Sequence, residues 1–207
     1  MYIQMTTKCN MSCDHCVFNG TNQGTHMPMH VYRQALSLSE MYGNYICLGG
    51  GEPTLHPFFE KMLLMAIANS EKGMEPSVIT NGSITKRALL IAKLAHQKII
   101  YGKLSLDYYH DPINQRVIDA FTPALLHNTT KYSKLLPHGR AKSLVSNQEI
   151  ANRGSSQCPC PDIFIKPDGS IYQCGCEDAP KIGHVRDQNL SDIHYGCQHE
   201  IIEEAYI

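Results

Sequence analysis

The sequence has 207 residues, 43% of them hydrophobic, and this length leaves room for one domain or for one domain with a small appendage. The formal net charge of −1, with no run of lysine and arginine, gives no indication of nucleic-acid binding. The N-terminus lacks a signal-peptide pattern and no segment approaches about 18 consecutive apolar residues, so we expect a cytoplasmic protein without membrane spans.

Short β-rich segments alternate with amphipathic helical segments over the front three quarters of the chain. The predicted strands are 2–7, 45–50, 77–82 and 103–107, and the predicted helices are 30–43, 56–73, 84–97 and 111–121. Strands that are separated by helices run parallel, with right-handed crossovers. Since too few residues are present for eight such units, we predict an α/β fold, a partial, open parallel β/α barrel over residues 1–145.

A polar loop follows each of the four predicted strands. The loops contain, in order, "CNMSCDHC", "GGGEPT", "TNG" and "SLDYYHD". Because the carboxyl ends of parallel strands share one edge, these loops should gather where α/β sheets and barrels place their chemistry.

Nine cysteines in a cytoplasmic chain indicate metal or redox chemistry, because reducing compartments keep thiols free of disulfides. Cys9, Cys13 and Cys16 form a CxxxCxxC loop, which can hold three irons of a [4Fe–4S] cluster and leave the fourth iron open. The alternative is a zinc knuckle that includes His15. Cys47 lies in an apolar strand and is interpreted as a small buried side chain.

These motifs together resemble the radical S-adenosylmethionine enzymes. The resemblance rests on "CNMSCDHC", "GGGEPTLHP", "TNG" and "SLD", which occur in the family's order over roughly residues 1–110. It implies a [4Fe–4S] cluster on Cys9, Cys13 and Cys16, with S-adenosylmethionine bound to the open iron. His15 stands where the family usually has an aromatic residue.

The resemblance also implies the residues that bind the cofactor. Gly50, Gly51 and Glu52 would meet the methionine amino group, and Ser105 and Asn81 would contact the ribose or carboxylate. One electron, from a donor such as flavodoxin or ferredoxin, would split a carbon–sulfur bond, and the resulting 5′-deoxyadenosyl radical would remove a hydrogen atom from the substrate.

The residue types in these loops suit such roles on physical grounds. A glycine pair lets the backbone approach a ligand closely, and a carboxylate accepts strong hydrogen bonds from an ammonium group. The alternative for "GGGEPT" is a tight turn before a helix, with Thr54 as the N-cap and Pro57 in the first turn. For Asp107 and His110, a solvated loop and a substrate contact are equally compatible with the sequence.

A second cysteine group lies in residues 146–207, which we predict to be a small metal-binding appendage. The segment "CPCPDIFIKPDGSIYQCGC" predicts a hairpin that brings Cys158 and Cys160 near Cys174 and Cys176. Cys197 is a further candidate ligand. The segment resembles the start of SPASM and Twitch auxiliary-cluster domains, and "IGHV" and "PHGRA" fit that resemblance. A second iron–sulfur cluster is favoured over zinc, because zinc knuckles prefer CxxC to CxC.

The sequence therefore predicts a radical S-adenosylmethionine enzyme, an oxidoreductase that modifies a peptide or protein side chain. A nucleotide, nucleobase or small metabolite is the alternative substrate. Two other readings remain open at this stage. One is a non-catalytic iron–sulfur or zinc module for electron transfer, which would not cleave the cofactor, and the other is an activase that installs a glycyl radical on a partner.

Overall fold

The computed structural model describes residues 1–41, 45–71, 73–121, 126–127, 135, 138–145, 163–176 and 179–187. The strands are β1 Tyr2–Thr6, β2 Cys47–Gly50, β3 Ser77–Thr80, β4 Tyr101–Ser105, β5 Leu126–His127, β6 Phe164–Ile165, β7 Ser170–Tyr172 and β8 Lys181–His184. The helices are α1 Met29–Met41, α2 Phe59–Ala68, α3 Thr85–His96 and α4 Gln115–Ala120, with 3-10 helices at Pro53–Leu55 and Gly139–Leu144.

One sheet contains all eight of these strands, in the order β5-β4-β3-β2-β1-β6-β7-β8. Every pair from β5 to β6 is parallel, and β7 and β8 are added antiparallel. Helices α1 to α4 connect β1 to β5 in turn, which is the predicted βα alternation. Among the described strands, β5 and β8 are edge strands that do not pair with each other, so the sheet is not closed. The prediction of an open parallel β/α barrel is confirmed.

The apolar core lies between the sheet and its helices. The strands contribute fully buried residues such as Ile3, Leu48 and Val78, and the helices contribute Tyr32 and Phe59. Tyr32 donates a hydrogen bond from its hydroxyl to the carbonyl oxygen of Met62, 2.7 Å away, which satisfies its buried polar end. Within the described residues, none of the helices combines the length and apolar character needed to cross a bilayer.

Several element boundaries differ from the sequence prediction. Helix α2 begins at Phe59 and not at residue 56, because the chain first forms the 3-10 helix Pro53–Leu55. Helix α2 also ends at Ala68, several residues before Gly73. Strand β4 begins two residues earlier than expected, since Tyr101 pairs with Ser77 of β3.

The predicted C-terminal hairpin is present as β6 and β7, where Phe164 pairs with Tyr172. It is joined to the main sheet, because β6 lies parallel to β1 and Ile165 pairs with Ile3. This attachment was not expected from the sequence. Cys158, Cys160 and Cys197 lie outside the described residues.

Candidate cofactor site

The four polar loops meet at the carboxyl edge of the parallel strands, as predicted. Thr6, Gly50, Thr80 and Ser105 are the last residues of β1 to β4. The loop that follows β1 carries the three clustered cysteines, and hydrogen bonds join it to the loops after β2 and β3.

The glycines after β2 allow close contact with the cysteine loop. The amide of Gly51 donates to the carbonyl oxygen of Thr6 and the amide of Glu52 to that of Lys8, both at 2.8 Å. A Cβ atom on Gly50, whose φ is +149°, would lie 2.3 Å from the carbonyl oxygen of Thr6. A Cβ atom on Gly51 would lie equally close to that of Lys8. These glycines are therefore required for packing of the loop backbones.

The carboxylate of Glu52 is completely buried, with 0% of the residue exposed. Its Oε1 accepts hydrogen bonds from the amide and hydroxyl of Thr54. The same oxygen accepts a third hydrogen bond, from the hydroxyl of Thr80 at 2.8 Å. Its Oε2 accepts from the amide of Asn81, at 2.7 Å. Burial raises the pKa of Glu52, while these donors lower it, and the net direction is upward. Glu52, and not Thr54, is the N-cap of the 3-10 helix.

Asn81 contacts the cysteine loop directly. Its Nδ2 lies 3.8 Å from the sulfur of Cys9 and 3.4 Å from Oδ1 of Asn10. Its own Oδ1 accepts hydrogen bonds from the amide and hydroxyl of Ser83, and the Ser83 hydroxyl also reaches Asn10. The loop after β3 therefore holds one side of the cysteine loop.

Arg140 holds the other side of the cysteine loop. Its Nε donates to the carbonyl oxygen of Cys13 at 2.9 Å, and its Nη1 donates to that of Gly20 at 3.0 Å. Its backbone amide donates to the carbonyl oxygen of Cys16, also at 2.9 Å. The "PHGRA" segment, noted in the sequence without a role for its arginine, thus closes the loop from a distant part of the chain.

Burial and mutual repulsion both act on the thiols of the cysteine loop. Burial raises the pKa of Cys9. Burial, together with the neighbouring charges of Cys9 and Cys16, raises the pKa of Cys13 to about 11. A bound cationic centre would reverse this repulsion, since metals hold coordinating thiols in the thiolate form. The residues present fit a metal centre.

His15 contacts the loop after β4. Its Nε2 lies 3.1 Å from Oδ2 of Asp107, and its ring stacks on Tyr109, with centroids 4.7 Å apart. Burial lowers the pKa of His15, and the carboxylate of Asp107 acts in the opposite direction. Among the described residues, one group of three ligand atoms lies within 4.8 Å of one another, and it does not include the cysteines. The described residues thus show no group of three ligand atoms within 4.8 Å that combines His15 with two of these cysteines, as a single tetrahedral zinc ion would require.

Ser105 and His110 complete this part of the site. The hydroxyl of Ser105 lies 3.4 Å from Nε2 of His110, whose Nδ1 lies 2.7 Å from Oδ1 of Asp107. The loop after β4 is therefore a hydrogen-bonded turn. Of the two alternatives, a solvated loop does not describe the side chains of Asp107 and His110, which are 1% and 7% exposed.

Of the second cysteine group, Cys174 and Cys176 are buried, with 7% and 8% of each residue exposed. They follow β7, on a turn where a Cβ atom on Gly175 would lie 3.3 Å from the ring of Phe164 and 3.7 Å from that of Phe18, in the cysteine loop. Phe18 also stacks on Phe164, with centroids 5.5 Å apart. The hairpin is thus in contact with the loop of Cys9, Cys13 and Cys16.

The family model of the radical SAM superfamily matches residues 3–126, more than half of the chain. The chain belongs to the radical SAM superfamily. It is therefore a radical SAM enzyme, and membership implies a [4Fe–4S] cluster and S-adenosylmethionine as cofactors.

Two curated relatives differ in the substrate that their names indicate. An S-adenosylmethionine-dependent nucleotide dehydratase from the Thermoplasmatales archaeon (strain ISO4-H5) is 34% identical over 83 residues, or 40% of this chain and 29% of that protein. The putative peptide biosynthesis protein YydG from Bacillus subtilis (strain 168) is 23% identical over 83% of this chain and 67% of that protein. The chain thus spans less than a third of the first relative.

Solved structures share the fold at low identity. BtrN in complex with AdoMet and 2-DOIA matches 98% of this chain and 84% of its own, with a TM-score of 0.63 and 15% identity. The anSMEcpe structure with bound AdoMet and Cp18Cys peptide matches 97% of this chain and 80% of its own, with a TM-score of 0.58 and 14% identity. Streptococcus suis SuiB bound to precursor peptide SuiA matches 99% of this chain and 66% of its own, with a TM-score of 0.52 and 12% identity.

Proposed function

We propose that this radical SAM enzyme cleaves S-adenosylmethionine reductively at a [4Fe–4S] cluster on Cys9, Cys13 and Cys16, and removes a hydrogen atom from a peptide or protein side chain. The observation that supports the cofactor site best is the bracing of the cysteine loop by Asn81 on one side and Arg140 on the other. Such preorganisation keeps the three thiols in place before a cofactor arrives.

The bound cluster and cofactor would supply the electron and the organic radical. The protein has to hold the loops and to orient the cofactor. Gly50 and Gly51 allow the loop after β2 to pack closely against the backbone of the cysteine loop. Glu52 holds the loop after β2 against β3 by accepting hydrogen bonds from Thr80 and Asn81. We retain Gly50, Gly51, Glu52, Asn81 and Ser105 as the proposed contacts of S-adenosylmethionine.

A peptide substrate is favoured by the relatives that cover most of the chain. YydG is named as a peptide biosynthesis protein, and two of the structural neighbours are described with bound peptides. A nucleotide, nucleobase or small metabolite is the second candidate. The nucleotide dehydratase, at 34% identity over a shorter stretch, supports it.

The C-terminal part is proposed to hold a second metal centre, an iron–sulfur cluster or zinc. Cys174 and Cys176 would be two of its ligands, with Cys158, Cys160 and Cys197 as the other candidates. We divide the chain on this basis into residues 1–145, the partial barrel, and residues 146–207, the auxiliary region. A flavodoxin or ferredoxin is the proposed electron donor.

Anaerobic reconstitution tests the proposal. The protein, loaded with iron and sulfide, is incubated with S-adenosylmethionine and dithionite, and 5′-deoxyadenosine is measured. We expect its formation in the wild type and in Cys47→Ala, a cysteine of β2, and its loss in Cys13→Ala. Absence of 5′-deoxyadenosine from a fully loaded wild type would contradict the proposal. The two substrate classes are then separated by whether peptides or nucleoside triphosphates increase the formation of 5′-deoxyadenosine.

A further inference from the structure

Three metal-ligating side chains converge where the cysteine loop meets the end of β4. Ligand atoms of His15, Asp107 and His110 lie within 4.8 Å of one another. Two imidazoles and one carboxylate are a donor set that divalent iron and zinc use in proteins. We propose that this His–Asp–His group binds one divalent transition-metal ion, such as Fe²⁺, Co²⁺ or Zn²⁺, at a site separate from the cysteines.

The burial of the carboxylate supports a bound cation. Only 1% of the Asp107 side chain is exposed, and the adjacent His110 side chain is 7% exposed. Oδ2 of Asp107 is buried and accepts no hydrogen bond from the described residues, although His15 Nε2 lies 3.1 Å away. A buried carboxylate oxygen without a partner is costly, and a metal ion would satisfy it.

The spacing of the ligand atoms also suits one ion. Metal bonds of about 2.0–2.2 Å place neighbouring ligands of a tetrahedral or octahedral ion roughly 3 to 3.5 Å apart. The separation of His15 Nε2 and Asp107 Oδ2 is 3.1 Å, within this range. That of His110 Nδ1 and Asp107 Oδ1 is 2.7 Å, a hydrogen-bond distance that a bound ion would lengthen. Small side-chain rotations would open these contacts to admit an ion.

The surrounding contacts have the pattern that is expected around metal ligands. A ligating histidine usually donates its other ring N–H to a fixed partner, and a ligating carboxylate is itself hydrogen-bonded. Nε2 of His110 lies 3.4 Å from the Ser105 hydroxyl. Its Nδ1, which now lies 2.7 Å from Oδ1 of Asp107 and 3.3 Å from the amide of the same residue, is the atom that would exchange these contacts for the metal. The amide of Tyr109 donates to Oδ1 of Asp107 at 2.9 Å, and the Tyr109 ring stacks on His15.

This site would connect two of the loops that form the candidate cofactor site. His15 lies between Cys13 and Cys16, whereas Asp107 and His110 follow β4. An ion held by three protein ligands keeps further positions for water or for an oxygen atom of a substrate. The inference goes beyond the proposed function and does not depend on cleavage of S-adenosylmethionine.

Cobalt binding tests the site in protein that cannot build the first cluster. The Cys9→Ser/Cys13→Ser/Cys16→Ser variant is titrated with Co²⁺ alone, and the weak visible bands of nitrogen and oxygen ligation are followed apart from the thiolate charge-transfer bands. We expect Asp107→Asn to weaken this binding at least about tenfold. Asp111→Asn, an exposed neighbour in the same loop, should leave it unchanged. Equal binding by both variants would overturn the proposal.

A second measurement uses the cluster-loaded protein with its cysteines intact. Co²⁺ should raise the unfolding temperature of the wild type and of Asp111→Asn, because a ligand of the folded state stabilises it, but not that of His110→Gln. The same rise in all three would show that His15, Asp107 and His110 form only a hydrogen-bonded contact. The 5′-deoxyadenosine assay on the same samples reports on the proposed function separately.

Discussion

Arg140 donates a hydrogen bond from its Nε to the carbonyl oxygen of Cys13, 2.9 Å away, although 127 positions separate the two residues in the sequence. The same guanidinium reaches the carbonyl oxygen of Gly20. Since the cysteine loop has little regular structure of its own, these bonds and the contacts of Asn81 hold it in place.

Replacement of Arg140 should therefore lower cluster incorporation. Arg140→Gln removes a charged donor to two carbonyls, and we expect a loss of about 1–3 kcal/mol in the free energy of unfolding. Iron and sulfide content after reconstitution and chemical denaturation measure the two effects. Lys142→Gln, on the same 3-10 helix and exposed, is the control. A full cluster in Arg140→Gln would contradict the role of the arginine.

Gly51 is expected to be intolerant of a side chain because of the backbone beside it. A Cβ atom there would lie 2.3 Å from the carbonyl oxygen of Lys8, so Gly51→Ala has to displace either the β2 loop or the cysteine loop. Gly73→Ala is the matched control, since its Cβ would meet nothing within 4 Å and only its φ of +91° is unfavourable. We expect a cost of about 1 kcal/mol for Gly73→Ala and a larger one for Gly51→Ala in urea denaturation. The reverse order would be inconsistent with the packing.

Glu52→Gln should destabilise the fold. Oε1 and Oε2 of Glu52 together accept four hydrogen bonds from Thr54, Thr80 and Asn81, and a glutamine has only one acceptor atom. At least one buried donor would then face an NH2 group, at a cost of about 1–3 kcal/mol in the free energy of unfolding. Glu60→Gln, at a half-exposed ion pair with Arg87, should cost much less. If Glu52 served only to bind the cofactor, Glu52→Gln would unfold like the wild type.

Much of this architecture could be predicted from the sequence, because local patterns determine it. The alternation of strands and helices, the hairpin of β6 and β7 and the edge at which the loops gather all follow from periodicity and chain order. The predicted start of α2 was wrong because the chain first forms a short 3-10 helix, capped by Glu52, and so short a helix leaves no periodic pattern of apolar residues in the sequence. The attachment of β6 to β1 and the contact of Arg140 with the cysteine loop were missed because both join distant segments.

Asp168, in the turn between β6 and β7, should make the free energy of unfolding depend on pH. Burial raises the pKa of Asp168, but hydrogen bonds from the Ser170 amide and hydroxyl, with Lys181 and His184 nearby, leave that pKa below its usual value. Asp168 therefore stabilises the folded state above the pKa of the unfolded chain, and this contribution is lost as the pH falls through the depressed folded pKa. The difference in unfolding between the wild type and Asp168→Asn should vanish at that acidity. Ser170→Ala should move the loss to higher pH.

Asn81 should tune the cluster that we propose for Cys9, Cys13 and Cys16. Its Nδ2 lies 3.8 Å from the sulfur of Cys9, and hydrogen bonds to cluster sulfurs favour the more negatively charged, reduced form. Asn81→Leu removes that donor, so we expect a lower midpoint potential for the cluster without S-adenosylmethionine. Redox titration followed by electron paramagnetic resonance measures it.

The control for this prediction keeps the amide of Asn81 and removes its neighbour. Ser83→Ala deletes a hydroxyl that lies 2.7 Å from Oδ1 of Asn81 and 3.0 Å from Oδ1 of Asn10, but it leaves the contact of Nδ2 with Cys9. Its midpoint potential should stay close to that of the wild type. If Asn81→Leu and Ser83→Ala lowered the potential equally, loosening of the loop, and not the lost donor to sulfur, would be the cause.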